Sequence, residues 1–570
     1  MGKRVIIIGA VALGPKTACR LKRLDPDCEI TVIDRDSYIS YGGCGIPYYV
    51  SGDVQELEGL CSTSAHVVRD SNYFKNVKAV DVVTCCEAES INRKDKTVVI
   101  KNTATGESKV LNYDYLVLGT GATSFIPPIE GADLPGVTAV SNLHQAKFVK
   151  ESVAKGQVEK AVVIGGGAIG LEMAEALTDL WGVETTLIEM MDQLVPPAFG
   201  KDMALIIKNH MEEKGVRVLL NERVTKIKGD KEKGVTAVVT GSEEFPCELV
   251  IMASGVRPNS KLAKEAGLAV GSFGGILVND RMQTSDPFIY AGGDCVEITH
   301  LVSGQTVHMP LGSLANRQGR VIGTNIAGKN AQIKGTVGSF CLKVFDLGIA
   351  RAGLTVKQAE QAGFDPVYSV VVQADRAHFY PTMELMYVKL IADRKTRRVL
   401  GIEAVGPHGD AVKARVDAVA PLLQYNTTVS DIANLEVSYA PPFASAMDIV
   451  NNAANSLDNI LEGLHEPVDV TEFFELFKKG GIKVLDVRSE VQSGPFVEKY
   501  GDAWINIPQE VLVQRIDEVP KDEPIILVCG SGPRSYETQL VLRSRNINKK
   551  TRNIQGGVGM IKASDPDFAP

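Results

Sequence analysis

The sequence predicts an α/β chain with two nucleotide-binding domains on parallel sheets, an α+β domain and a small C-terminal α/β domain. Three observations carry this. An apolar strand running through a Gly-rich turn into a helix occurs twice, starting at Val5 and at Ala161. In each case a second strand ends on an acidic residue, Asp34 or Glu189, about 25 residues after the turn begins. Beyond residue 330 or so the Gly-rich turn does not recur, and beyond about 465 short apolar strands start afresh.

The uninterrupted apolar runs Val5-Ile6-Ile7-Ile8 and Ala161-Val162-Val163-Ile164 suit strands covered on both faces, as in parallel sheets. Helices are expected over Lys16 to Leu24 and Leu171 to Leu180. Gly9 and Gly14 in the first turn, and Gly165, Gly167 and Gly170 in the second, let the backbone approach a pyrophosphate at the positive helix end. Asp34 and Glu189 are placed to accept hydrogen bonds from ribose hydroxyls, so both units read as Rossmann-like. The second turn is complete. Glu189 is followed by Met190 and Met191 rather than arginine, which favours NADH over NADPH. The first turn carries Val11 at its middle glycine, followed by Ala12. Further on, Val388 to Ala392 and Val399 to Ala404 read as neighbouring strands. Asn451 to Gly463 reads as a polar connector with helical spacing, and Lys483 to Arg488 and Ile525 to Cys529 open the last domain.

A net charge of −8 and a pI near 5.7 argue against nucleic acid or an anionic membrane as a general partner. No apolar run reaches the roughly 18 residues of a membrane span, and the run at Val5 is too short for a signal peptide. The ten cysteines form no regular framework, so a reducing, cytoplasmic setting is expected, and no metal site.

Cys44 stands apart, in Ser40-Tyr41-Gly42-Gly43-Cys44-Gly45-Ile46-Pro47-Tyr48, with Cys28 and Cys61 its nearest cysteines in sequence. Gly45-Ile46-Pro47 suits a helix start, whose positive end would favour a thiolate. Cys19, Cys28, Cys295 and Cys341 are expected as small core residues.

Two further segments complete a pattern: Tyr115-Leu116-Val117-Leu118-Gly119-Thr120-Gly121, and Thr284-Ser285-Asp286-Pro287 continuing to Gly292-Gly293-Asp294. With them, residues 1–450 resemble the flavoprotein disulfide reductases. The resemblance implies an FAD domain over 1–114 and 250–328, an NADH domain over 115–249 and a dimerisation domain over 329–450, hence a homodimer. Thr120 and Gly121 would mark the crossing to the NADH domain, and Asp294 would meet the ribityl chain of FAD. A lone flavin-linked cysteine leaves three chemistries: a sulfenic acid, as in NADH peroxidases and oxidases, a mixed disulfide, or a persulfide. The peroxidase and oxidase relatives carry a histidine where this chain has Ala12.

The segment Ser40 to Tyr48 itself resembles the CoA-disulfide and CoA-persulfide reductases. That likeness implies two tyrosines supplied across the dimer, Tyr380 and Tyr439, to protonate a leaving thiolate. It also implies a bound coenzyme A, with Lys16, Arg20 and Arg23 on its phosphates and Ser40 and Gly43 near its thiol. Gly43 stands where the family often has asparagine, and Met447 where it often has lysine. Both changes remove polar contacts near a CoA thiol and point from CoA disulfide toward persulfide or polysulfide.

After a linker at 451–464, residues 465–570 resemble a rhodanese domain, with Cys529-Gly530-Ser531-Gly532-Pro533-Arg534 as its active loop. Backbone N–H groups of such a loop, with the fixed charge of Arg534, would stabilise a thiolate or persulfide. The stretch Tyr500 to Trp504 departs from the usual rhodanese pattern. The expected activity is NADH-driven reduction of persulfide or polysulfide at Cys44, with Cys529 accepting sulfane sulfur. CoA-disulfide reduction with an accessory rhodanese domain, a non-catalytic persulfide carrier or redox sensor, and an NADH oxidase are the alternatives.

Overall fold

Val5 and Ile7 turn to one buried face, with Val32, Val117, Leu21 and Ile322. Ile6 and Ile8 turn to the other, with Ile33, Leu116 and Leu118. This alternation is the period-two pleat of a strand covered on both sides. The computed structural model describes residues 2–570 and divides into two units, 1–190 with 215–336 and 191–214 with 337–570.

In the first unit, Arg4–Ile8 is the middle strand of a five-stranded parallel sheet, ordered Ile289–Ala291, Tyr115–Leu118, Arg4–Ile8, Glu29–Ile33, Asp81–Val83. The helix after the first turn spans Leu13–Leu24, beginning ahead of the expected Lys16 because its buried stripe of Leu13, Thr17, Ala18 and Leu21 starts within the turn. A second parallel sheet of five strands centres on Lys160–Ile164. Its helix, Ala168–Thr178, buries Leu171, Met173, Ala174 and Leu177.

The second unit holds an antiparallel sheet ordered Phe340–Val344, Leu347–Gly353, Val399–Gly406, Leu385–Asp393, Pro366–Ala374. The expected strand pair at 388–404 is there, at greater length. The helical spacing read at 451–463 is borne out too, though as a packed helix rather than a free connector. Residues Ile449–Leu461 form a helix burying Ile449, Val450, Ala453, Ala454, Leu457 and Ile460, packed on strand Pro366–Ala374. Asn451, which made the segment look polar, is itself buried and donates to the carbonyls of Ile432, Ala433 and Leu435. The C-terminal residues form a parallel sheet ordered Pro467–Val468, Thr551–Ile554, Ile525–Val528, Lys483–Asp486, Trp504–Asn506. Of the cysteines expected in cores, Cys28 and Cys295 are buried and Cys19 half-buried. Cys341 is exposed, because it sits on the edge strand Phe340–Val344.

Helix Lys201–Glu213 lies in sequence between strands of the second nucleotide sheet, yet it belongs to the second unit. A buried ion pair secures it there: Lys389 Nζ donates to both Asp202 carboxylate oxygens at 2.9 Å. Glu403 accepts from the Gly200 N–H at 2.8 Å. Burial works against the Lys389 charge, but Asp202 and Glu403 outweigh it and hold its pKa above the ordinary lysine range. Removing one partner leaves a buried charge poorly compensated. Asp202→Ala should therefore cost about 3 kcal/mol, seen as an earlier melting transition, and Asp202→Leu with Lys389→Met should recover much of it. No helix among the described residues is long and apolar enough to cross a membrane.

Candidate functional site

Each Gly-rich turn binds its own acidic strand end. The Ala10 N–H donates to Asp34 Oδ2 at 2.6 Å, and the Gly166 N–H donates to Glu189 Oε2 at 2.7 Å. Gly9 and Gly165 make the turns possible: their φ angles are +108° and +111°, and a Cβ would stand 2.0 Å from the Gly119 carbonyl oxygen and 2.5 Å from that of Ala253. Gly14 and Gly170 lie in the first turns of the following helices, so the backbone stays bare where a pyrophosphate would approach. Gly167 caps the second helix with open space around it. Val11 and Ala12 fit the first turn without distorting it, Ala12 serving as the helix N-cap.

A cavity of about 600 Å³ runs beside the first turn, lined by Gly9, Asp34, Arg35, Thr120, Asn259 and Lys261 among others. Burial pushes the Asp34 carboxyl up from its ordinary value. Thr120 Oγ1 donates to the Asn259 carbonyl at 2.6 Å, and Asn259 Nδ2 returns a bond to the Thr120 carbonyl at 2.9 Å, which ties the two segments together. Asp294 sits in a short 3₁₀ turn, its carboxyl pushed up by burial. Next to it, Gln318 Oε1 accepts from the Gly293 N–H at 2.7 Å, while its buried Nε2 has no partner among the described residues. That orphaned donor, the bare turn and the cavity fit FAD.

Cys44 occupies a 3₁₀ turn, Gly43–Gly45, that leads into helix Ile46–Ser51 with Pro47 in its first turn. Cys44 and Gly43 are exposed, whereas Ser40 is buried, its N–H donating to the Ala10 carbonyl at 2.7 Å. Desolvation first, then the carboxylates of Glu172 and Asp294, push the Cys44 thiol above its ordinary value. What faces the sulfur is the start of helix Gly312–Ile326: a Cβ on Gly312 would lie 3.5 Å from Cys44 Sγ.

Glu172, on helix Ala168–Thr178, is pushed up to about 7 by burial and then by Glu175. Its charge opposes the Cys44 thiolate, so removing it favours ionisation. In Glu172→Gln, the pH profile of Cys44 alkylation by iodoacetamide should move to lower pH.

Helix Gly312–Ile326 was not legible as part of the site. Its one signal is Gly319 and Gly323, one turn apart, which let it lie against helix Leu13–Leu24: a Cβ on either would come within 2.8 Å of the Leu13 or Thr17 carbonyl oxygen. This contact places Thr324 Oγ1 3.0 Å from Arg20 Nε and brings Arg320 close enough to act on the Arg20 charge. Lys16 and Arg23 are exposed on the same helix as Arg20. The basic face read from the sequence therefore extends to Arg320.

Tyr380 and Tyr439 belong to the second unit. The Ala377 N–H donates to the Pro441 carbonyl at 3.1 Å, which brings their two loops side by side. Tyr439, Phe379, Phe443 and Met447 are all more than half exposed there, at 51%, 67%, 73% and 52%, an apolar face of the kind that partners cover.

In the C-terminal unit Cys529 is buried at the end of strand Ile525–Val528. Its Sγ accepts from the Gly532 N–H at 3.1 Å and from Ser535 Oγ at 3.4 Å. Helix Pro533–Ser544 starts at this loop, and Arg534 lies over Gly530, with Nη2 3.9 Å from where a Cβ would be. The sulfur thus faces two hydrogen-bond donors at the start of a helix.

Residues 3–319 match the family described as pyridine nucleotide-disulphide oxidoreductase, and residues 339–450 match the dimerisation domain of that family. A protein named NADH oxidase from Methanocaldococcus jannaschii is 37% identical over 451 residues, covering 79% of this chain and 98% of that one. The NAD(P)H coenzyme A polysulfide/persulfide reductase of Pyrococcus horikoshii is 35% identical over 448 residues, covering 79% and 97%. The solved structure of a NAD-dependent persulfide reductase from A. fulgidus superposes with a TM-score of 0.92 at 41% identity, covering 98% of this chain and 99% of the other.

Proposed function

Because this chain belongs to the pyridine nucleotide-disulphide oxidoreductase family, we propose that it is an FAD-dependent NADH:persulfide or polysulfide reductase that releases sulfide. The observation that carries this reading is the lone, exposed Cys44 beside the FAD-type cavity elements, free like every other cysteine of the chain. No described cysteine is disulfide-bonded, and in this reading the sulfur that pairs with Cys44 comes from the substrate. The relatives named for persulfide and polysulfide reduction have the same family architecture.

When bound, FAD supplies the two-electron link between NADH and this sulfur. Gly9, Ala12, Gly14, Asp34, Thr120, Gly121 and Asp294 hold it. Gly165, Gly167, Gly170 and Glu189 hold NADH, with the buried Glu189 carboxylate disfavouring a 2′-phosphate. Cys44 attacks the substrate S–S bond, forms a new S–S bond, and expels the other sulfur as a thiolate or hydrosulfide. Tyr439, with Tyr380 beside it, donates a proton or hydrogen bond to the departing sulfur from across a homodimer. The exposed apolar rim around Tyr439 supports that assembly.

Residues 465–570 act as a rhodanese domain in this reading, with Cys529 as sulfane-sulfur acceptor and Arg534 as its fixed charge. The paired hydrogen bonds to Cys529 Sγ support the assignment. Domain limits follow as 1–114 with 250–328 for FAD, 115–249 for NADH, 329–450 for dimerisation and 465–570 for rhodanese. The segment 451–464 is mostly a packed helix rather than a free linker.

A second reading, CoA-disulfide reduction, is favoured by the basic face of Lys16, Arg20, Arg23 and Arg320, which suits a phosphate-bearing thiol. NADH oxidation with CoA persulfide, polysulfide and CoA disulfide, measured side by side, separates the two. Persulfide or polysulfide turnover exceeding CoA-disulfide turnover, with stoichiometric sulfide, supports the first; the reverse order overturns it.

A further inference from the structure

The sulfane-accepting loop at Cys529 is not supported by its own domain alone. The Cys529 carbonyl accepts from the Val558 N–H and the Gly530 carbonyl from the Gly559 N–H, both at 2.8 Å, so the rear of the loop hangs on the start of helix Gly557–Ser564. That helix start is pressed in turn against strand Pro366–Ala374, the edge strand of the antiparallel sheet. A Cβ on Gly556 would stand 2.8 Å from Val372 Cγ2. A Cβ on Gly559 would stand 3.2 Å from Val372 Cγ1 and 3.3 Å from the Gly530 carbonyl oxygen. Gly559 thus fills a one-residue gap between Val372 and the Cys529 loop.

Two further contacts fix the gap's width. Gln555 is 5% exposed, and its Oε1 accepts from the Val370 N–H at 2.6 Å, which satisfies a donor of the edge strand. Asn209 Nδ2 donates to the Ala563 carbonyl at 2.8 Å at the far end of the helix. Val370 and Val372 are themselves buried, at 5% and 3% exposure. The C-terminal unit is therefore seated on the antiparallel sheet through the element that holds its reactive loop.

We propose that Val372 of the antiparallel sheet is a positioning residue for sulfur transfer at Cys529, setting the loop through Gly559. The proposal rests on the sulfane-acceptor role of Cys529 given above. In that transfer the Cys529 thiolate attacks the terminal sulfur of a polysulfide. The new Cys529 S–S bond forms as the donor S–S bond breaks, and the shortened polysulfide leaves with the electron pair. Cyanide, as a test acceptor, then takes the outer sulfur as thiocyanate and restores the thiolate.

Tight packing makes the prediction specific, since an added methyl in a filled gap must displace one wall. Gly559 has helical backbone geometry, so alanine adds bulk without strain there. In the full-length, FAD-loaded protein, Gly559→Ala should slow polysulfide-to-cyanide transfer about tenfold, mainly in kcat, and shift its pH profile. Adding Val372→Ala should restore the rate to within about threefold and return the pH profile. Melting temperature and flavin content of each variant report its folding. If Gly559→Ala leaves rate and profile unchanged, or if Val372→Ala fails to rescue it, the positioning role is wrong. If the unsubstituted protein forms no thiocyanate, or Cys529→Ser still forms it, the acceptor role itself fails instead.

Discussion

Cys44→Ser should abolish NADH-driven turnover of CoA persulfide, polysulfide and CoA disulfide alike while the protein keeps its FAD. Serine is nearly the same size as cysteine, but its hydroxyl is a far weaker nucleophile and leaving group at neutral pH. Cys44 lies exposed in the turn Gly43–Gly45, so the exchange removes no core packing. The start of helix Gly312–Ile326 faces the position without crowding an oxygen. The groups proposed to hold FAD, from Gly9 and Asp34 to Asp294, make none of their cited hydrogen bonds to the sulfur. A loss of about a thousandfold or more, near 4 kcal/mol in transition-state stabilisation, is the expected scale. Bleaching of the flavin by NADH should persist, which separates a lost sulfur step from lost cofactor chemistry. Retention of a tenth of the persulfide turnover in fully FAD-loaded Cys44→Ser would sink the assignment.

What the sequence made legible is what short-range chemistry encodes. The two turns, with Gly9 and Gly165 at positive φ and Asp34 and Glu189 bonded back to the turn, are local patterns and stand where they were read. The site around Cys44 is assembled from distant segments, and there the reading stopped. Gly312 and Gln318 reach it only because Gly319 and Gly323 let two helices touch, and Glu172 arrives from the second nucleotide unit. Pro47 marks a local helix start, as read, whereas the carboxylates at 172 and 294 that oppose a thiolate come from elsewhere. The 451–464 segment misled differently. Its asparagines suggested solvent, but the buried Asn451 turns its amide N–H groups to the carbonyls of Ile432, Ala433 and Leu435.

Cys529→Ser should eliminate sulfur transfer to cyanide and lower NADH-dependent sulfide release from polysulfide at least about tenfold, leaving CoA-disulfide reduction at Cys44 intact. The buried Sγ is met by the Gly532 N–H and Ser535 Oγ, donors that stabilise charge on sulfur but cannot turn a serine hydroxyl into a comparable nucleophile. The substitution keeps volume, and a serine hydroxyl has a donor and an acceptor available in the same loop, so the fold should stand. The split between substrates is the informative part. A fused acceptor raises the local concentration of bound sulfane sulfur only for donors that load it. CoA disulfide carries no sulfane sulfur and should be indifferent to Cys529. If Cys529→Ser turns over every sulfane donor at the original rate, Cys44 draws its sulfur directly from solution. The C-terminal unit would then have a task separate from the reductase.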